Sequence, residues 1–161
     1  MKFIIYILLF TTFCQAQDNV SISVFQDVKF ALQGDVARGY KAGTLNILAR
    51  LKMQGNQDEL GYFVVAPEFE YADLQGTYRR YSVNVGYTLN SIKNIEVTPM
   101  INYGWIDRGV STYSGGGSIE TMYKLSDNIK IGVLNQLVHR TDLPNRKLGY
   151  SFFFGIEINI N

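Results

Sequence analysis

Glu68 and Glu70 stand two residues apart, and Arg80 comes from the next strand-like run. Two carboxylates on one face could act as acid and base on a glycosidic bond. Here the pair is crossed by cations in the same register, which leaves no cleft for a sugar. Two readings remain, a gate along a narrow ion path and a salt-bridged plug that fixes strand register. His139 is the single histidine. With a serine in hydrogen-bond reach it could make a hydrolytic nucleophile, but the nearest candidates, Ser114 and Ser151, fall in the opposite register. One histidine cannot build a histidine-cluster metal site, and no cofactor is implied. Gly115-Gly116-Gly117 lacks the Lys-Ser/Thr of a phosphate loop. Tyr78-Arg79-Arg80-Tyr81 mixes bases with aromatics as nucleic-acid patches do, yet Arg79 at a strand tip suits a lipid phosphate better.

Two-residue alternation positions these groups. Apolar residues recur at every second place through the runs 20–33, 42–54, 60–72, 78–89, 95–107, 113–125, 129–140 and 147–160. Turn chemistry separates them, as in Gly55-Asn56-Gln57-Asp58-Glu59, Asp73-Leu74-Gln75-Gly76, Asn90 to Asn94, Ser126-Asp127-Asn128 and Asp142 to Asn145. Val28–Leu32 and Leu45–Met53 also fit short amphipathic helices, although the flanking period favours strand. Pro67 and Pro99 fall mid-run, where each removes a ladder donor, so local bulges are expected there.

One face of these runs is oily. It carries Val20, Ile22 and Val24, then Leu51 and Met53, Phe63 and Phe69, Val83 and Val85, and Ile101. It ends with Phe152, Phe154, Ile156, Ile158 and Ile160. Arg79 and Asp107 sit in this register at strand tips, and Gln26 and Asn135 are polar exceptions within the runs. The other face holds the acids Asp27, Glu68, Glu70, Glu96, Glu120 and Glu157 and the bases Lys29, Arg50, Lys52, Arg80, Lys124 and Lys130, among Ser, Thr, Asn and Gly.

Alternation alone fits both a soluble barrel with an oily core and a membrane barrel with a polar one. Three features favour the second. An eight-stranded barrel is only just wide enough for its own side chains, and the oily list would overfill it. Tyr71, Tyr81, Tyr103, Trp105, Tyr113 and Tyr150 gather at one rim and Tyr87 and Tyr123 at the other, as paired lipid-interface girdles do. The connections on the side of the N-terminus are short, roughly five residues or fewer, as such barrels have.

The opening MKFIIYILLFTTFCQAQ has a cation, an apolar run and small residues before Gln17. It is read as a signal peptide over residues 1–16, leaving residues 17–161 as one barrel domain. Loss of Lys2 changes Lys+Arg from 15 to 14 against Asp+Glu 14, so the mature formal charge is 0, which argues against nucleic acid. The only cysteine, Cys14, leaves with the leader, so disulfides are not expected.

The whole mature chain resembles the small eight-stranded bacterial outer-membrane β-barrels typified by the transmembrane domain of outer membrane protein A. That resemblance implies an all-β, closed, antiparallel up-and-down transmembrane barrel in the cell outer membrane, a monomer in contact with outer-membrane lipid and with the barrel-insertion machinery during assembly. It implies a non-enzymatic structural or surface-contact role. The rivals are a narrow passive channel, a lipid-modifying enzyme and a soluble periplasmic barrel holding an apolar ligand. The family ends in an aromatic residue read by the insertion machinery, whereas this chain ends Ile160-Asn161 with Phe154 the nearest aromatic.

Overall fold

A computed structural model describes residues 20–34, 41–73, 77–92, 94–142 and 148–160. The expected leader lies outside them, as do Leu74–Gly76 of one expected turn and Pro144 of another. Eight strands follow in chain order: β1 Val20–Asp27, β2 Asn46–Gln54, β3 Gly61–Ala72, β4 Tyr78–Ile92, β5 Ile95–Asp107, β6 Ser111–Lys124, β7 Ile129–His139 and β8 Leu148–Ile160. A short helix, α1 (Val28–Leu32), follows β1. Each strand pairs with the next and β1 pairs with β8, closing the sheet into a barrel. Closure leaves no free edge, which a bilayer requires because hydrocarbon offers backbone groups no partner.

The alternation seen in the sequence sorts the two faces of the wall. Ile22, Val24, Val83, Ile101, Phe152, Ile156 and Ile158 are exposed outside. Ser21, Ser23, Arg50, Lys52, Glu68, Ser82, Asn84, Thr88, Ser118, Glu120 and Glu157 are buried inside. Small residues explain why the inner set fits. At Gly104 an added Cβ would lie 1.9 Å from the carbonyl oxygen of Tyr81, so nothing larger can occupy that inward position. Apolar side chains fill the lumen elsewhere. Phe25, Leu48, Met122, Leu134 and Phe153 form one buried cluster and Ala72, Tyr78, Ile106 and Val138 another.

Two expectations are corrected. The first run is not strand to residue 33. The Asp27 carboxylate accepts the Phe30 N–H at 3.0 Å, an N-cap that ends β1 and starts α1. Local capping overrides the two-residue pattern there, so the helix reading of 28–32 holds, while 46–54 is strand. The prolines do not shift the register either. The β3–β4 ladder runs through Pro67 opposite Val83, and β5–β6 runs through Pro99 opposite Ile119. Rungs are missing instead on the other side of each proline, between Arg50/Glu68 and Met53/Val65 and between Gly86/Met100 and Leu89/Val97. That is the neighbour each absent N–H would have served. The one register shift recorded among the described pairs falls lower down, between Leu89 and Ile92.

Candidate functional site

The buried charges join into a single alternating chain. Arg80 Nη1 lies 2.7 Å from Glu68 Oε1, and Glu68 Oε2 lies 2.6 Å from Arg50. Arg50 continues to Glu120 at 2.9 Å, and Glu120 to Lys52 at 2.5 Å. Lys52 also binds Glu157. Glu157 meets Lys130 at 3.0 Å, and Lys130 meets Glu96 at 2.7 Å. Every member between Arg80 and Glu96 has an opposite charge on both sides, the condition under which ions persist at membrane depth.

The order of contacts ties the wall together. Charges come from every strand except β1, and β1 adds Ser23, whose hydroxyl donates to Glu157 at 3.1 Å. Arg50 and Glu68 face each other across β2 and β3, as Lys130 and Glu157 do across β7 and β8. The Arg50–Glu120 and Lys52–Glu120 links instead cross the lumen from β2 to β6. Neutral groups take up the remaining valences. Glu68 accepts from Ser82, Asn84 and Gln136 at 3.0, 3.2 and 3.1 Å. Arg80 donates to Ser114 and to Asn102 at 2.9 and 2.6 Å. The Tyr62 hydroxyl donates to Glu96 at 3.0 Å at the opposite end. Gln136 and Tyr62 were not singled out in the sequence, although both share the inward register with Lys130 and Glu68.

The side chains of Arg50, Glu68, Arg80 and Glu120 are 0% exposed. A sphere the size of water touches none of them, so the lumen is filled at this level. Such an arrangement can fix register and exclude solute; it holds no open acid–base pair.

Other expected members sit elsewhere. Lys29 is exposed on α1, because the strand has already ended. Lys124 is half-exposed at the tip of β6 and binds Asp127 at 2.9 Å in the turn that follows. Neither belongs to the interior, and both are corrected on that ground. Asp27 is buried but spent on the helix cap. Glu70 is buried above the chain, and the Tyr78 hydroxyl donates to it at 3.3 Å. Beyond the strands, Arg140 stacks 4.6 Å over the Tyr78 ring and grips Asp142 at 2.7 Å. Burial opposes ionisation of Asp142, yet the bond from Arg140 holds its carboxyl below the ordinary 3.8.

On the outer wall, Tyr81 stacks on Trp105 at 5.8 Å and Tyr103 on Tyr113 at 6.2 Å, all four exposed. Tyr123 is exposed and Tyr71 half-buried. The Tyr87 hydroxyl donates to Asp58 at 2.6 Å, and with two backbone N–H bonds this keeps the Asp58 carboxyl below its usual value. The Tyr150 hydroxyl turns to Asn135 at 2.7 Å. His139 is exposed, whereas Ser114 faces the lumen and is held by Arg80, so the two do not form a dyad.

No protein-family model and no curated sequence matches the chain. Solved structures do. The outer membrane protein Ail of Yersinia pestis in a phospholipid nanodisc superposes with a TM-score of 0.55 at 12% identity, over 88% of this chain and 99% of that one. The crystal structure of Ail, the attachment invasion locus protein, gives 0.51 at 14% identity over 88% and 97%. A designed transmembrane β-barrel gives 0.52 at 9% identity over 88% and 95%. The chain has the fold of a small transmembrane β-barrel of the outer-membrane type.

Proposed function

We propose that this chain is a non-enzymatic integral protein of a bacterial outer membrane, a barrel sealed to solutes, with a structural or surface-contact role in the envelope. The observation that carries it is the charge chain from Arg80 to Glu96, whose central side chains have no exposed surface. A filled lumen suits a scaffold that holds its wall rigid and presents its rims. The surface-contact part rests on the likeness to Ail, the attachment invasion locus protein of Yersinia pestis, and on the rim opposite the chain ends. There the connection 28–45 carries α1 with Leu32 exposed, and Val110 and Tyr113 stand exposed across the rim.

Planar-bilayer recording tests the sealed state. The refolded chain should show no single-channel steps. Steady conductance that changes in Glu68→Gln or Arg80→Gln would replace this reading with a narrow channel.

A further inference from the structure

Arg79 and Asp107 stand opposite each other across the β4–β5 ladder at the far rim. Opposite charges in such a position normally meet. Here they stay apart. Among the described residues the Arg79 guanidinium makes no hydrogen bond and no ion pair. The Asp107 carboxylate turns into its own hairpin, where Oδ1 accepts the Gly109 N–H at 3.1 Å. Gly109 has a φ of 87°, which a side chain would strain.

Between the two charges lies a recess of about 400 Å³, lined by Thr77, Arg79, Asp107, Arg108 and Gly109. Arg108 is answered from outside that lining, by Asp142 at 3.4 Å. One cation and one anion remain to face the recess, equal and opposite. Its height on the wall decides what reaches it. Tyr81 and Trp105 pair one same-face step below Arg79 and Asp107, and their rings stack at 5.8 Å. Such a step is about 6–7 Å along a strand. Rings of this kind mark the headgroup boundary, so the recess opens among headgroups rather than acyl tails.

We infer that the recess binds the phosphoethanolamine headgroup of a membrane lipid. The phosphate lies on Arg79, whose planar fork of N–H donors suits it, with the exposed Thr77 beside it. The ammonium donates to the Asp107 carboxylate. A purely anionic headgroup would meet that carboxylate unshielded, and a choline ammonium has no N–H to give it. The inference rests on the reading of the chain as a membrane barrel and names the lipid its far rim prefers.

The test uses the refolded chain in detergent micelles with phosphatidylethanolamine, phosphatidylglycerol and phosphatidylcholine of identical acyl chains. Native mass spectrometry counts the lipids retained. Phosphatidylethanolamine should be retained most. Arg79→Ala should lower its retention about tenfold, the scale of a lost hydrogen bond to a charged group. Asp107→Asn should remove its preference over phosphatidylglycerol. The two variants shift net charge in opposite directions, so a loss in both is not bulk attraction. Lys29→Ala, which removes another exposed cation of the far rim, should leave retention unchanged. Equal retention of the three lipids, undiminished binding in Arg79→Ala, or an equal loss in Lys29→Ala would overturn the inference. So would displacement by millimolar inorganic phosphate, which would make the ligand a free anion. Any of these in a chain that keeps its compact mobility on an unboiled gel overturns the headgroup site alone; loss of that mobility in the unaltered chain would overturn the membrane reading with it.

Discussion

The two faces of one strand handle polar groups in opposite ways. On β3, Glu68 faces inward and accepts five hydrogen-bonding partners, while its neighbour Phe69 faces out against Tyr81 with ring centroids 5.1 Å apart. The inner face keeps charge by giving each ion between Arg80 and Glu96 two counter-ions. The outer face avoids charge altogether between the strand tips. Stability on the inside therefore depends on connectivity, and on the outside it depends on depth in the bilayer.

Removing a hub should break the contrast most severely. Glu68→Leu leaves Arg50 with Glu120 and strips Arg80 of the one ion pair it makes among the described residues. Breaking a buried pair from one side destabilises by about 3–5 kcal/mol, which urea unfolding in vesicles would measure. A charge moved to the other face should act somewhat less strongly. Val83→Arg puts a guanidinium against lipid, for about 2–4 kcal/mol near the midplane and less toward a rim. If Val83→Arg were neutral while an inward Ser82→Arg were tolerated equally well, the two faces would not differ as described.

The smallest effect concerns the rim. Asp142 has a depressed folded-state pKa, so its stabilisation is fully present above about 3.8 and is lost as pH falls through the lower folded value. Acid should thus release Arg140 from Asp142 at the far rim while the lumen stays intact. Arg140 side-chain resonances followed by NMR below pH 4 would report it; no change down to pH 2 would contradict it.

Much of this was legible because a strand has a period of two. Val83 and Asn84, or Phe152 and Phe153, separate by parity alone, and the small residues that share a register with the charges foretell a polar lumen. Partnerships across the lumen were not legible. Arg50 and Glu120 are joined by barrel closure and shear, which no local pattern encodes. Lys29 was misplaced because a single cap at Asp27 ends the strand two residues earlier. A mid-strand proline suggests a bulge because the sequence does not say which neighbour its absent N–H would have faced. Tyr150 fits a girdle by its place in the sequence, yet its hydroxyl turns toward Asn135, a contact that no local pattern encodes.

Methyl relaxation by lipids spin-labelled at mid-chain tests the sidedness most directly, because aliphatic residues occupy both faces. Val83, Ile101 and Ile156 are exposed, whereas Leu48, Ile106 and Leu134 are fully buried in the lumen. In nanodiscs the first three should broaden strongly and the second three should stay sharp. Sharp signals from Val83 and Ile156 together with broadened Leu48 and Leu134 would mean that the barrel is turned inside out from the arrangement described.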